Sequence, residues 1–245
     1  DVYKRQFQYR IFNAVQKSNQ EVQLTYQAKD GEEGFPGNFQ CTVTMKLTDD
    51  NAIDIQYEAE TDKPTIVNMT NHSYFNLDGN PSKDNSSYLL TLNADHYTPV
   101  DSTFMTTGEI ASVEGTPMDF RQPTAIGANI NQDFAQLKNG NGIDHNWVLN
   151  TQGDVSKVCA TLESPATGIV LDVYTNEPGI QVYCGNFLDG TLTGKKGIVY
   201  NFRTAVCLET QHYPDTPNKP EWPSAVLRPG EKYQSQCIYK FSVRK

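Results

Sequence analysis

The feature that most constrains this chain is an alternation of apolar and polar residues with period two, repeated in short segments that turn residues interrupt. Gln40 to Leu47 (QCTVTMKL), Ala52 to Ala59 (AIDIQYEA), Lys157 to Leu162, Ile169 to Thr175, Ile180 to Tyr183 and Cys237 to Val243 all carry it. They are rich in β-branched and aromatic residues, as strands are. An extended backbone sends successive side chains to opposite faces, so each segment buries one face and wets the other. Turn chemistry separates them at Asp49-Asp50-Asn51, Asp78-Gly79-Asn80-Pro81, Asn139-Gly140-Asn141-Gly142, Pro178-Gly179 and Pro229-Gly230. Helical character is confined to a short piece near Asn131 to Leu137. Many short strands with frequent Gly and Pro turns predict an all-β fold, an antiparallel sandwich or barrel. At 245 residues such a fold can be one domain. The Pro-rich stretch from Pro214 to Pro229 is expected to be an ordered loop, since Trp222, Val226 and Leu227 give it something to bury.

Composition removes several function classes. The net charge is −9 and no Lys/Arg run is longer than Lys195-Lys196, which argues against nucleic acid as a partner. No apolar run approaches the roughly 18 residues that span a bilayer, so no membrane partner is expected. The five cysteines (Cys41, Cys159, Cys184, Cys207, Cys237) are scattered, odd in number and without CxxC spacing. They read as small core hydrophobes in a reducing compartment, with no metal site, and point to the cytoplasm. Asn68-Met69-Thr70, Asn71-His72-Ser73 and Asn85-Ser86-Ser87 match the glycosylation tripeptide, and chance explains them better than secretion does. HExxH, P-loop, GxGxxG and GxSxG patterns are absent, which removes the common zinc protease, nucleotide-binding and serine hydrolase readings.

The opening DVYKRQ does not resemble a protein start, and FQYRIFNAV directly after it already reads as a strand in progress. One reverse translation of the six residues matches a transposon end used in preparing sequencing libraries. Residues 1–6 are therefore expected to be translated adapter, and residues 7–245 one domain lacking its first strands. A secreted or periplasmic destination stays open on that expectation. Sequencing the source gene across the junction tests it, and finding the same six codons there would refute it.

Some residues stand out for chemistry. His72 lies in NMTNHSYFNL (Asn68 to Leu77), where Asn71, Ser73, Tyr74 and Asn76 crowd hydrogen-bonding groups around an imidazole. A strand histidine is more often structural, but histidine is also the side chain most readily suited to proton transfer near neutrality. Glu209 ends the apolar run Ala205 to Leu208, either at an exposed rim or in a partly dry site fit for a general base. Asp144 follows a Gly-rich turn and, by itself, reads as a turn cap. Glu177 by itself reads as a surface turn residue, and His96, His145 and His212 as structural. One imidazole with one or two carboxylates suits proton movement on a neutral polyhydroxylated substrate. The 13 tyrosines and 11 phenylalanines are compatible with stacking on a sugar face.

Five segments in order resemble the aldose 1-epimerases, also called galactose mutarotases. They are Asp30 to Gly37 (DGEEGFPG), Asn68 to Leu77, Gly142 to Asn146 (GIDHN), Pro178 to Gly190 (PGIQVYCGNFLDG) and Cys207 to Asp215 (CLETQHYPD). Weaker matches at Thr98 to Asp101, Gly115 to Arg121 and Leu227 to Glu231 fill the gaps. The resemblance implies a large antiparallel β-sandwich, without metal or cofactor, that interconverts α and β anomers of free hexoses. It implies that His72 is the general acid and Glu209 the general base. It also implies that Asp144, Glu177 and Asn71 contact the sugar. A monomer or weak dimer is expected. Family members carry a His-Gly-Gly motif and an arginine ahead of the segment matched by Phe7 to Ala14; neither is in this chain, so an impaired sugar site is expected. A hexose-6-phosphate 1-epimerase would need a cationic cluster, and a sugar sensor on this fold would be expected to lose the acid or the base.

Overall fold

The computed structural model describes residues 7–79 and 83–244. The DVYKRQ opening and the Asn80-Pro81 half of one expected turn lie outside the described residues. Two antiparallel sheets dominate. The larger runs β1 (Asn13–Ser18), β2 (Glu21–Ala28), β3 (Phe39–Leu47), β4 (Ala52–Thr61), β16 (Tyr233–Val243), β12 (Ile169–Thr175), β11 (Ala160–Glu163), β6 (Leu89–Leu92) and β9 (Thr124–Ala125). The smaller runs β14 (Cys207–Gln211), β13 (Gly179–Tyr183), β10 (Asp144–Val148), β7 (His96–Thr98) and β8 (Ala111–Ser112). A pair formed by β5 (Thr65–Ile66) and β15 (Val226–Leu227) stands beside them. Only two short α-helices occur among the described residues, Ile126–Asn129 and Ala135–Asn139.

Period two explains where the core lies. On the larger sheet Ile55, Tyr57, Leu90, Leu92, Leu162, Leu171, Val173, Cys237 and Tyr239 turn inward. They meet Tyr97, Trp147, Ile180, Val182, Val206 and Leu208 of the smaller sheet and its flank. A second cluster of Ala28, Phe39, Cys41, Ala59, Val67 and Leu227 closes one end, with Phe7, Phe12 and Tyr26 packed on it. The fold is therefore the expected all-β arrangement of large antiparallel sheets. All five cysteines are buried, and none is joined in a disulfide among the described residues. Trp222 and Leu227 are buried as expected for the Pro-rich loop.

Local readings shift at two places in the strand pattern. Phe7–Tyr9 is a 3-10 turn instead of strand, because Phe7 turns in to pack on Tyr26 and Phe39. Pro178-Gly179 is no turn: Gly179 opens β13, and a Cβ there would fall 2.5 Å from Asn146 Oδ1 and 2.8 Å from the Tyr213 ring. Asn85 of the third glycosylation tripeptide is buried, donating through Nδ2 to the carbonyls of Cys184 and Ala205.

His145 on β10 points into this core and is fully buried. Its Nδ1 accepts the Asp144 N–H at 3.2 Å, and desolvation pushes its pKa down from 6.5 to about 4. The unfolded chain binds this proton near pH 6.5, whereas the folded chain does not until about pH 4. Between those values the unfolded state holds more protons, so stability falls as pH falls through the window and levels off below it. A displacement of that size corresponds to about 3 kcal/mol. Urea unfolding of the wild type at pH 7 and pH 4.5 should show this loss, and His145→Phe should reduce it; an unchanged pH dependence in the variant would refute the assignment.

Candidate active site

Glu209 is the middle residue of β14, an edge strand of the smaller sheet. Alternation sends Leu208 into the core, where the Tyr239 hydroxyl donates to its carbonyl at 2.6 Å. Cys207, Glu209 and Gln211 take the opposite face. The residues from 68 to 76 run alongside β14 and cover its open edge. Asn68 exchanges two hydrogen bonds with the backbone of His212, each 3.0 Å. Phe75 exchanges two with Val206, at 2.8 and 2.9 Å, and Asn76 Nδ2 donates to the Thr204 carbonyl at 2.7 Å. The antiparallel Phe75–Val206 bridge sets the register in which residue 72 falls opposite residue 209, and the side chains of Asn68 and Asn76 pin the loop on either side. Nε2 of His72 lies 3.4 Å from Oε1 of Glu209.

The segment around His72 looks like a strand in sequence but leaves strand geometry after Ile66. Asn71 is the local reason: its Oδ1 accepts from the N–H and the hydroxyl of Ser73, at 3.1 and 2.5 Å. Such an Asx turn competes with ladder formation and lets the loop bulge between its anchors. His72 is 28% exposed at its side chain and Glu209 8%, so the pair is reached from the imidazole side.

Cross-strand pairing extends the same face. Glu209 pairs with Gln181, Gln181 with Asn146, and Asn146 with Thr98. In the next row Cys207 pairs with Tyr183 and Tyr183 with Asp144. Gln181 Nε2 donates to Asp144 Oδ1 at 2.7 Å. Asp144 is thus the first residue of β10, not a turn cap, and sits on the face that carries Glu209. Gly142 just ahead of it has φ +125°, and a Cβ there would fall 2.5 Å from Asn186 Oδ1 and 2.8 Å from Arg203 Nη2. Glycine is needed at that point for the turn to enter β10. Tyr74 stacks on His72 with ring centroids 5.0 Å apart, and Tyr183 meets His72 edge-on at 6.1 Å. Burial raises both phenols, Tyr183 to about 12, so both remain neutral hydroxyls at ordinary pH.

Glu177 stands apart from this face. It is 2% exposed, accepts from the Tyr233 hydroxyl through Oε1 at 3.0 Å, and holds His212 Nδ1 against Oε2 at 2.6 Å. Tyr233 also accepts the Met69 N–H at 3.3 Å, and His212 is the residue to which Asn68 is bonded. Glu177 therefore braces the two groups that anchor the start of the His72 loop. Removing the carboxylate leaves two half-buried groups without their acceptor, a loss of about 1–3 kcal/mol. Glu177→Ala is expected to unfold at correspondingly lower urea and to exchange its backbone amides faster across residues 68–72. Unaltered stability and exchange would refute the brace.

Sequence reasoning did not single out Gln181, Tyr183 or His212. Gln181 carried a signal, being the polar residue in the centre of an otherwise apolar strand (GIQVY). His212 carried none, because its partner Glu177 is 35 residues away in the chain.

The profile of the family described as aldose 1-epimerase matches residues 3–240. The chain belongs to the aldose 1-epimerase family. It is 47% identical to human galactose mutarotase over 223 residues, which are 91% of this chain and 63% of that protein. It is 42% identical to the aldose 1-epimerase of Escherichia coli K12 over 237 residues, 96% of this chain and 68% of that one. The crystal structure of an aldose epimerase homologue from C. elegans superposes with a TM-score of 0.87 at 31% identity, covering 97% of this chain and 70% of that one. That of galactose 1-epimerase from Lactobacillus acidophilus gives 0.81 at 32%, covering 96% and 66%. The chain thus spans less than two thirds of the length of the human relative. No helix among the described residues is long and apolar enough to cross a membrane.

Proposed function

We propose that this chain interconverts the α and β anomers of free aldoses such as galactose and glucose. One observation carries the reading: His72 Nε2 and Glu209 Oε1 lie 3.4 Å apart on a face lined by sugar-compatible hydrogen-bonding groups. The ring oxygen and the anomeric hydroxyl oxygen of an aldose are both bonded to C1. A proton donor for one and a proton acceptor for the other must therefore be close neighbours. Protonated His72 gives its proton to the ring oxygen while Glu209 takes the proton of the anomeric hydroxyl. The C1–O5 bond breaks, and C1 becomes the aldehyde carbon. Rotation about C1–C2 presents the other face of the carbonyl; as O5 attacks C1, Glu209 gives its proton to the carbonyl oxygen and His72 takes back the proton of the O5 hydroxyl. Each group ends in the state in which it began, so one acid and one base suffice.

Asp144 and Gln181, bonded to each other beside the pair, are placed to receive sugar hydroxyls. Tyr74 and Tyr183 offer aromatic surface and neutral hydroxyls to the same space. Asn71 acts mainly by shaping the loop that carries His72, and Glu177 by bracing it. The similarity to galactose mutarotases and aldose 1-epimerases supports the choice of free hexoses over other polyols. Polarimetry decides: freshly dissolved α-D-galactose should lose its excess rotation faster with the chain than in buffer alone. An unchanged rate with the folded chain would refute the reading.

A further inference from the structure

Cys207 takes no part in the proton transfers proposed above, yet it shares their space. It lies two residues before Glu209 on the same face of β14. Its Sγ, a ring nitrogen of His72 and a carboxylate oxygen of Glu209 all lie within 4.8 Å of one another. Imidazole, thiolate and carboxylate are a donor set that zinc accepts, and three protein ligands leave a fourth tetrahedral position open. The 3.4 Å between His72 Nε2 and Glu209 Oε1 matches the edge of a tetrahedron whose metal–ligand bonds are roughly 2.0–2.2 Å.

We propose that His72, Cys207 and Glu209 form a binding site for a thiophilic divalent cation of the zinc type, and that its occupancy shuts the sugar site. Cys207 and Glu209 are fixed on one strand, whereas His72 comes from a loop without regular structure. The closure to bonding distance therefore falls to the loop. The cation enters from the exposed imidazole side. Cys207 loses its thiol proton to solvent and binds as thiolate, His72 binds through an unprotonated ring nitrogen, and Glu209 binds as carboxylate. Zinc changes no oxidation state, and water fills the open position. With the cation bound, the His72 nitrogen that faces Glu209 carries metal in place of a proton. The cation lowers the basicity of the Glu209 carboxylate by its charge and fills the space of the sugar's C1 oxygens, so anomer interconversion stops. That consequence rests on the mutarotase reading; the binding itself does not.

The test uses the chelator-treated chain in a non-coordinating buffer near neutral pH. Cobalt(II) is titrated first, as a spectroscopic stand-in, and zinc second by calorimetry. One equivalent of cobalt should produce a near-ultraviolet sulfur-to-cobalt charge-transfer band, and zinc should displace it. Cys207→Ser should abolish the band and weaken zinc binding by about 100-fold or more, since even the loss of an outer partner costs 10–100-fold. Cys41→Ser, in the separate cluster beside Phe39, should leave both unchanged and serves as the check on fold. In the activity arm, zinc should inhibit the wild type and should inhibit Cys207→Ser only at far higher concentration. A missing band, or a band that survives Cys207→Ser, overturns the proposal. The optical arm needs no turnover, so a chain that binds cobalt through Cys207 but does not interconvert anomers would sink the mutarotase reading alone.

Discussion

Glu209→Gln is expected to slow anomer interconversion by about 10²–10⁴-fold, the usual span for loss of a positioned acid or base. The amide keeps the size of the side chain and can still hydrogen-bond, but it cannot accept a proton from the anomeric hydroxyl. Its position is held by β14 pairing with β13 and by the Tyr239 hydroxyl on the Leu208 carbonyl, none of which the substitution touches. Folding should therefore be retained while turnover falls. His72→Asn should lose a similar factor from the opposite side of the same step. The double variant should be little worse than either single one, because acid and base act in one concerted transfer and such losses do not add. Polarimetry on the four proteins at equal concentration measures this. Near-wild-type turnover in either single variant would end the acid–base assignment, whatever the family membership.

Trp147→Ala carries the largest expected cost in stability. Trp147 is fully buried on β10, its ring lies among Tyr97, Phe120 and His145, and its Nε1 donates to the Met118 carbonyl at 3.1 Å. Truncation opens a cavity and orphans that carbonyl, for a loss of about 3–5 kcal/mol. The cavity would lie directly behind the site, since Trp147 adjoins Asn146 and follows Asp144 by three residues on the same strand. Urea denaturation should show a lower midpoint with an unchanged slope if the native fold persists. Trp147→Phe should recover a large part of the loss, as it refills most of the volume. A midpoint within experimental error of the wild type would mean that the two sheets do not depend on this contact.

Much of the architecture was legible because its physics is local. Alternation with period two depends only on the backbone being extended, so QCTVTMKL, AIDIQYEA and the segment at Ile169 to Thr175 declared themselves as strands and fixed which face each would bury. Gly142 and the crowding around His72 were visible for the same reason, as unusual chemistry within a few residues. Boundaries were less legible. Pro178-Gly179 looked like a turn because glycine usually marks one, whereas here it clears space for Asn146 of β10 and for Tyr213 in the loop after β14.

The chain's own order of residues determined the all-β class, the inward and outward faces of its strands, and the presence of one imidazole and one carboxylate worth watching. Family resemblance gave those two residues roles. What the tertiary structure alone decided is their meeting: the anchors at Asn68, Phe75 and Asn76 hold a loop alongside β14, bringing residues 72 and 209 to 3.4 Å. It also turned Glu177 from an apparent surface turn residue into a buried brace, and placed Gln181 and Cys207 at the site. Pairing register and burial are sums over contacts between distant segments, and no window of sequence contains both partners.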